Sequence, residues 1–132
     1  MSKLITTIIK IQSVDSLNIV SFDLNGIVLK MMSLELDESI SVGTKVSLGI
    51  KSTTIGIAKD FSGSLSYSNQ LNVVIDEISN GELLSSVKLL VSNSTLESII
   101  TLDSAKEMDL QVGESVTALI KANDISIIEI IK

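Results

Sequence analysis

The chain has 132 residues and a formal net charge of −6, and it contains no cysteine, histidine, proline or tryptophan. The absence of Cys and His excludes disulfides, thiolate sites, the usual zinc sites and histidine-activated nucleophiles. The acidic balance and the 2% content of aromatic residues argue against nucleic acid as a partner. Hydrophobic residues make up 45% of the chain, enough for a core, and no apolar stretch reaches the roughly 20 residues that cross a bilayer. We therefore expect a cytoplasmic protein with no membrane partner.

The first half of the chain predicts short β-strands, because Ile and Val are abundant and strong helical patterns are scarce. The expected strands are residues 4–14, 17–24, 27–33, 45–51 and 54–58. Asn25-Gly26 is a hairpin signal between the second and third strands. The connection from the third strand to the fourth is short and acidic, so we expect little helix there.

The second half repeats this plan with a longer connection. The expected strands are residues 71–78, 83–91, 95–101, 116–122 and 125–131. Residues 102–110 form the one plausible short helix, with Asp103 near its positively polarised start.

The two halves are also similar in sequence. Residues 42–57 align with 112–127 at a constant offset of 70, and seven of the 16 positions are identical, among them Gly43/Gly113 and Lys51/Lys121. Upstream, residues 4–9 align with 71–76 at an offset of 67. We interpret the chain as two modules, 1–60 and 61–132. Five strands with a helix after the third is the plan of an OB-fold barrel, so the predicted fold is all-β with short helices, as two tandem five-stranded barrels. A module of about 60 residues buries little surface alone, which favours tandem packing or strand exchange between chains.

Two segments of the second half resemble a known family. The run Leu110-x-Val-Gly-x-x-Val-Thr-Ala-Leu-Ile-Lys-Ala is similar to the molybdate-binding Mop (molbindin) module, a TOBE-type OB-fold. Ser66-Tyr67-Ser68-Asn69-Gln70-Leu71 resembles the opening Ser-Ala-Arg-Asn-Gln-Leu of that family. The resemblance covers essentially the whole chain as a tandem, strong in the second copy and weak in the first. It implies an oxyanion, molybdate or tungstate, bound at interfaces between modules of a homo-oligomer.

The resemblance also implies which residues contact the anion. In the second copy they are Ser66, Tyr67, Ser68, Asn69, Thr101, Ser104, Lys121 and Ala122, and in the first copy Lys51, Ser52 and Ser33. Ser68 stands where the family has an arginine, so that cation is lost. The assignment is chemically reasonable, because a tetrahedral dianion needs N–H groups, hydroxyls and one or two cations rather than His or Cys.

Each of these residues also has a simpler interpretation. Lys51 and Lys121 could be solvated lysines at strand ends. Thr101 and Ser104 could serve only to cap the predicted helix. Residues 66–69 could form a flexible connector, and Tyr67 could serve packing alone.

The functional hypothesis is a non-enzymatic molybdate- or tungstate-binding protein for molybdenum storage, buffering or homeostasis. The alternative is an oligomerisation or regulatory module whose anion site has decayed, docking on components of a molybdate transport or regulation system. An enzyme is the weakest class, because no nucleophile with its base is recognisable.

Overall fold

The computed structural model describes all residues, 1–132, and contains ten strands in two antiparallel five-stranded sheets. The strands of the first half are β1 (Ser2–Val14), β2 (Leu17–Leu24), β3 (Ile27–Ser33), β4 (Lys45–Ile50) and β5 (Gly56–Ala58). Those of the second half are β6 (Asn69–Asn80), β7 (Leu84–Val91), β8 (Ser94–Thr101), β9 (Ser115–Ile120) and β10 (Ile125–Ile130). A helix, α1 (Leu102–Glu107), follows β8, and two 3-10 turns, Ser52–Thr54 and Ala122–Asp124, follow β4 and β9.

The two halves exchange their last strands. One sheet has the order β10-β4-β1-β2-β3 and the other β5-β9-β6-β7-β8, so each takes four strands from one half and one from the other. Strand β10 pairs with β4, from Ile125 opposite Ile50 to Ile130 opposite Val46. The approach is close at Gly49, where an added Cβ would lie 2.9 Å from Cγ2 of Ile128. Of the two expected arrangements, tandem packing and strand exchange between chains, the structure shows tandem packing, with the strands exchanged between the halves of one chain.

The fold class predicted from the sequence is confirmed. Every predicted strand lies within two residues of an observed one at both ends, and the connection of the first half contains no helix. The predicted helix ends three residues early, at Glu107, because Asp109 adopts a positive φ of 48°, a conformation that terminates helices. The two 3-10 turns were not predicted, because turns of three residues carry no periodic signal.

Turn chemistry reflects the internal repeat. Asn25 and Gly26 both have positive φ, 49° and 92°, as the predicted hairpin turn requires. Gly43 and Gly113 occupy equivalent turns at φ 95° and 90°. A β-carbon is strained in this region, so the glycine at both places has a conformational cause.

The halves share one hydrophobic core of 24 buried residues. It includes Phe22 and Leu48 from the first half and Leu89 and Ile120 from the second. Ser98 of β8 donates a hydrogen bond of 2.5 Å to the carbonyl of Ile55, which ties the second sheet to the first half. No helix in the structure has the length and hydrophobicity to span a membrane.

One buried polar group in the first sheet has no partner, and it yields a stability prediction. The Thr6 hydroxyl is buried without a hydrogen bond, and Val73 is buried at the equivalent position of β6. We expect Thr6→Val to raise the free energy of unfolding by about 1 kcal/mol, because the substitution removes an uncompensated desolvation cost. Urea denaturation measures the change. Thr7→Val, at a partly exposed site on the opposite face of β1, is the control and should change stability by less than about 0.5 kcal/mol. A destabilised Thr6→Val variant would contradict the prediction.

Candidate functional site

The segment before β6 and the turn after β9 lie side by side at one end of the second sheet. Asn69 pairs with Ile120 across the two strands, which brings Ser68 next to Lys121. The Lys121 ammonium lies 6.0 Å from the centre of the Tyr67 ring, within cation–π distance. Ser66 and Ser68 are exposed, and Ala122 is half-buried. Five of the residues implied by the family resemblance are thus brought together: Ser66, Tyr67, Ser68, Lys121 and Ala122.

Asn69 connects this group to the other sheet. Its Oδ1 accepts a hydrogen bond of 2.7 Å from the Lys30 N–H. Its Nδ2 donates to the carbonyls of Lys30, at 2.9 Å, and Ile120, at 3.2 Å. Both amide hydrogens are engaged by backbone and the side chain is buried. In this structure Asn69 therefore holds β3 against β6 and β9 and leaves no amide hydrogen for a ligand.

The same contacts place Lys30 beside Lys121, because one amide group bridges the carbonyls of Lys30 and Ile120. We call the group Lys30, Tyr67, Ser68, Lys121 and Ala122 the second junction. Both lysines are exposed, and the two ion pairs of the structure use other lysines, Lys59 and Lys88. The second junction therefore includes two lysines that form no ion pair in the structure, which favours an anion.

The equivalent turn of the first half, which follows Lys51, lies against a carboxylate of the second half, that of Glu97. Ser52, buried in the 3-10 turn after Lys51, donates a hydrogen bond of 3.0 Å to Oε1 of Glu97. Ser86 donates one of 2.8 Å to Oε2. We call Lys51, Ser52, Ser86 and Glu97 the first junction.

The sequence interpretation missed Lys30, Ser86 and Glu97. The signal was present in the repeat, since the offset of 67 aligns Lys30 with Glu97, residues of opposite charge.

The hydrogen bonds from Ser86 and Ser52 lower the pKa of Glu97 below its ordinary value of 4.5. A carboxyl with a depressed pKa stabilises the folded state above its unfolded pKa, and this contribution is lost as pH falls through the folded pKa. We therefore expect Glu97→Gln to be less stable than the wild type at pH 7 and to lose less stability on acidification below pH 4.5. Thermal unfolding over a pH series measures this, with Glu82→Gln, at an exposed turn, as control. Parallel curves for Glu97→Gln and wild type would refute the prediction.

The remaining implied residues lie elsewhere. The Thr101 hydroxyl accepts the Ser104 N–H at 3.1 Å and donates to the Ser104 hydroxyl at 2.9 Å, so Thr101 is the N-cap of α1. Helix α1 packs on β7 and β8, whereas the turn after Lys121 packs on β3. None of the hydrogen bonds of Thr101 or Ser104 reaches the second junction.

Ser33 has a local role in the structure. It exchanges hydrogen bonds with the backbone of Glu35 and lines a cavity of about 570 Å³. Eight of the 14 lining residues are hydrophobic, and Glu35, Asp37 and Glu129 are also among them. Apolar walls and carboxylates are unsuited to a dianion, so this cavity is not the candidate site.

Comparison with known proteins identifies similar chains. Residues 65–127 match the TOBE domain. The structure superposes with a TM-score of 0.88 on a crystal structure of the cytoplasmic molybdate-binding protein ModG with molybdate bound, at 25% identity, over 94% of this chain and 92% of that one. A molybdate-binding protein from Sporomusa ovata is 30% identical over 51% of this chain and all of its own, with a TM-score of 0.49. No curated protein sequence matches this one.

Proposed function

This chain belongs to the TOBE-domain family, as a tandem of two Mop-type modules, and from this premise we propose that it is a non-enzymatic molybdate-binding protein. The observation that carries the proposal is the second junction, where two lysines that form no ion pair, Lys30 and Lys121, come together with Tyr67 and Ser68. The full-length similarity to a protein crystallised with molybdate supports it.

The chemistry of the second junction suits such a ligand. Molybdate is a tetrahedral dianion whose metal is already saturated with oxygen, so a binding site must supply charge and hydrogen-bond donors rather than metal ligands. The Lys121 ammonium, held near Tyr67, supplies charge, and the hydroxyl of Ser68, together with that of nearby Ser66, supplies donors. Charge-assisted hydrogen bonds of this kind contribute about 1.5–3 kcal/mol each. Tungstate has the same shape and charge, and we propose that it binds as well.

A homo-oligomer would complete the site. Thr101 and Ser104 are exposed at the start of α1, away from Lys121 in the same chain. We propose that a second copy brings these hydroxyls to the second junction, so that the anion is enclosed between chains. A protein of this kind would store or buffer molybdate in the cytoplasm, the compartment in which ModG is described.

Calorimetric titration with molybdate, tungstate and sulfate tests the proposal, together with thermal unfolding and light scattering with and without each anion. We expect heat and a higher unfolding temperature with molybdate and tungstate, because a ligand of the folded state stabilises it by about 2.7 kcal/mol at 100 times its Kd. No heat and no stabilisation at millimolar molybdate would rule the proposal out.

A second candidate is a regulatory or oligomerisation module of a molybdate transport system, with a decayed anion site. Ser68 favours it, because the family motif has a cationic arginine there. This candidate predicts an assembly whose size and stability are indifferent to molybdate. Ser68→Arg separates the two, since it should strengthen a weak site at the second junction.

A further inference from the structure

The two halves form equivalent junctions. Each junction includes one residue from the opposite sheet, and this residue is negatively charged at the first junction and positively charged at the second. Ser2 begins β1 and Asn69 begins β6, and both side chains are buried. Each accepts a hydrogen bond from a backbone N–H of the other sheet, Ser2 from Glu97 at 2.9 Å and Asn69 from Lys30 at 2.7 Å. Glu97 on β8 and Lys30 on β3 therefore occupy matching positions at the two junctions.

The first junction shows how a negative group fits this arrangement. The Glu97 carboxylate binds through both oxygens, to Ser52 in the 3-10 turn and to Ser86 on β7. Ser52 directly follows Lys51, just as Ala122 follows Lys121 at the second junction. An oxygen anion of the protein itself therefore already occupies the donors of the first junction.

The second junction has the opposite charge at the matching position. Lys30 shares the backbone placement of Glu97, and β3 packs on the 3-10 turn that contains Ala122 just as β8 packs on the turn that contains Ser52. Lys30 forms no ion pair and neither does Lys121. Ser68, where the family motif has arginine, adds no charge. Lys30 thus supplies from the first half the second cation that the second half lacks.

We propose that residues 30 and 97 decide which junction binds an oxyanion: Lys30 completes the site at the second junction, and Glu97 closes the first as a built-in anion. The chain then binds one oxyanion rather than two. This inference rests on the proposed function, which supplies the ligand.

Calorimetric titration of the full chain with molybdate tests both parts, read as sites per chain and affinity. We expect one site per chain in the wild type. Lys30→Gln should weaken binding about tenfold or more, since it removes one charge-assisted contact. Lys30→Glu should abolish binding, because it would place a carboxylate at the second junction as Glu97 does at the first. Lys10→Gln, at an exposed position on β1, is the matched control and should bind like the wild type.

Replacement of Glu97 tests the first junction. Glu97→Lys should raise the stoichiometry from one to two sites per chain, and Glu82→Lys, which makes the same charge change at an exposed turn, should leave it at one. Glu97→Ala is the second variant if Glu97→Lys does not fold, and circular dichroism verifies the fold of both. Ala also removes the built-in anion, so it should reveal a weaker second site.

The outcomes separate this inference from the proposed function. A wild type that binds no molybdate refutes the proposed function. Binding that is lost in Lys121→Ala but unchanged in Lys30→Gln overturns the role of Lys30 alone. Two sites in the wild type, or one site in folded Glu97→Lys and Glu97→Ala, overturns the role of Glu97.

Discussion

Neither residues 1–60 nor residues 61–132 should fold when produced alone, whereas an equimolar mixture of the two should form the native structure. The cause is the exchange of the last strands. Without the second half, β4 loses its neighbour β10, and without the first half, β9 loses β5. Each fragment would also expose its share of the 24-residue core, and chains of about 60 residues have little stability to lose.

Far-ultraviolet circular dichroism and amide NMR dispersion of each fragment, and then of the mixture, measure this effect. The matched control is the full chain cleaved within residues 62–64, an exposed connector without regular secondary structure. The cleaved protein should keep its fold, because no strand is interrupted. A separate fragment with cooperative unfolding and dispersed amide signals would contradict the prediction and would favour 1–60 and 61–132 as independent domains.

Lys121→Ala should weaken molybdate binding about a hundredfold while leaving stability nearly unchanged. The ammonium lies over the Tyr67 ring beside Ser68 and is exposed, so little packing is lost when it is removed. Loss of a contact worth up to about 3 kcal/mol corresponds to roughly two orders of magnitude in Kd. Lys121→Arg should keep part of the affinity, because it keeps the charge but changes the donor geometry.

Calorimetry with molybdate measures the affinity, and chemical denaturation without molybdate verifies the stability. Lys10→Ala, at an exposed position on β1, is the control for loss of one positive charge and should bind as the wild type does. Affinity within about twofold of the wild type in Lys121→Ala would place the anion elsewhere and remove the main support for the second junction as the site.

The prediction for Lys121→Ala depends on Lys51 and Lys121 being equivalent in sequence but different in surroundings. Lys51 precedes a serine whose hydroxyl binds Glu97, whereas Lys121 lies near Tyr67 and Lys30. The repeat alone indicates that both lysines follow the same strand of their modules. The repeat does not indicate which charged residue packs near each lysine, because that residue lies on a strand of the other half.

Local chemistry was enough to predict the strands, the Asn25-Gly26 hairpin, the positive φ of Gly43 and Gly113, and the fold class. These features depend on residues close together in the chain, through alternation of apolar side chains, turn preferences and motif spacing. The neighbour of each strand is not encoded in the same way, since an alternating apolar strand can pair with any matching edge. Burial in one shared core decides that β10 joins β4 and β5 joins β9. Only that long-range pairing brings Lys30 to Lys121 and Glu97 to Ser52, and it engages both amide hydrogens of Asn69 with backbone.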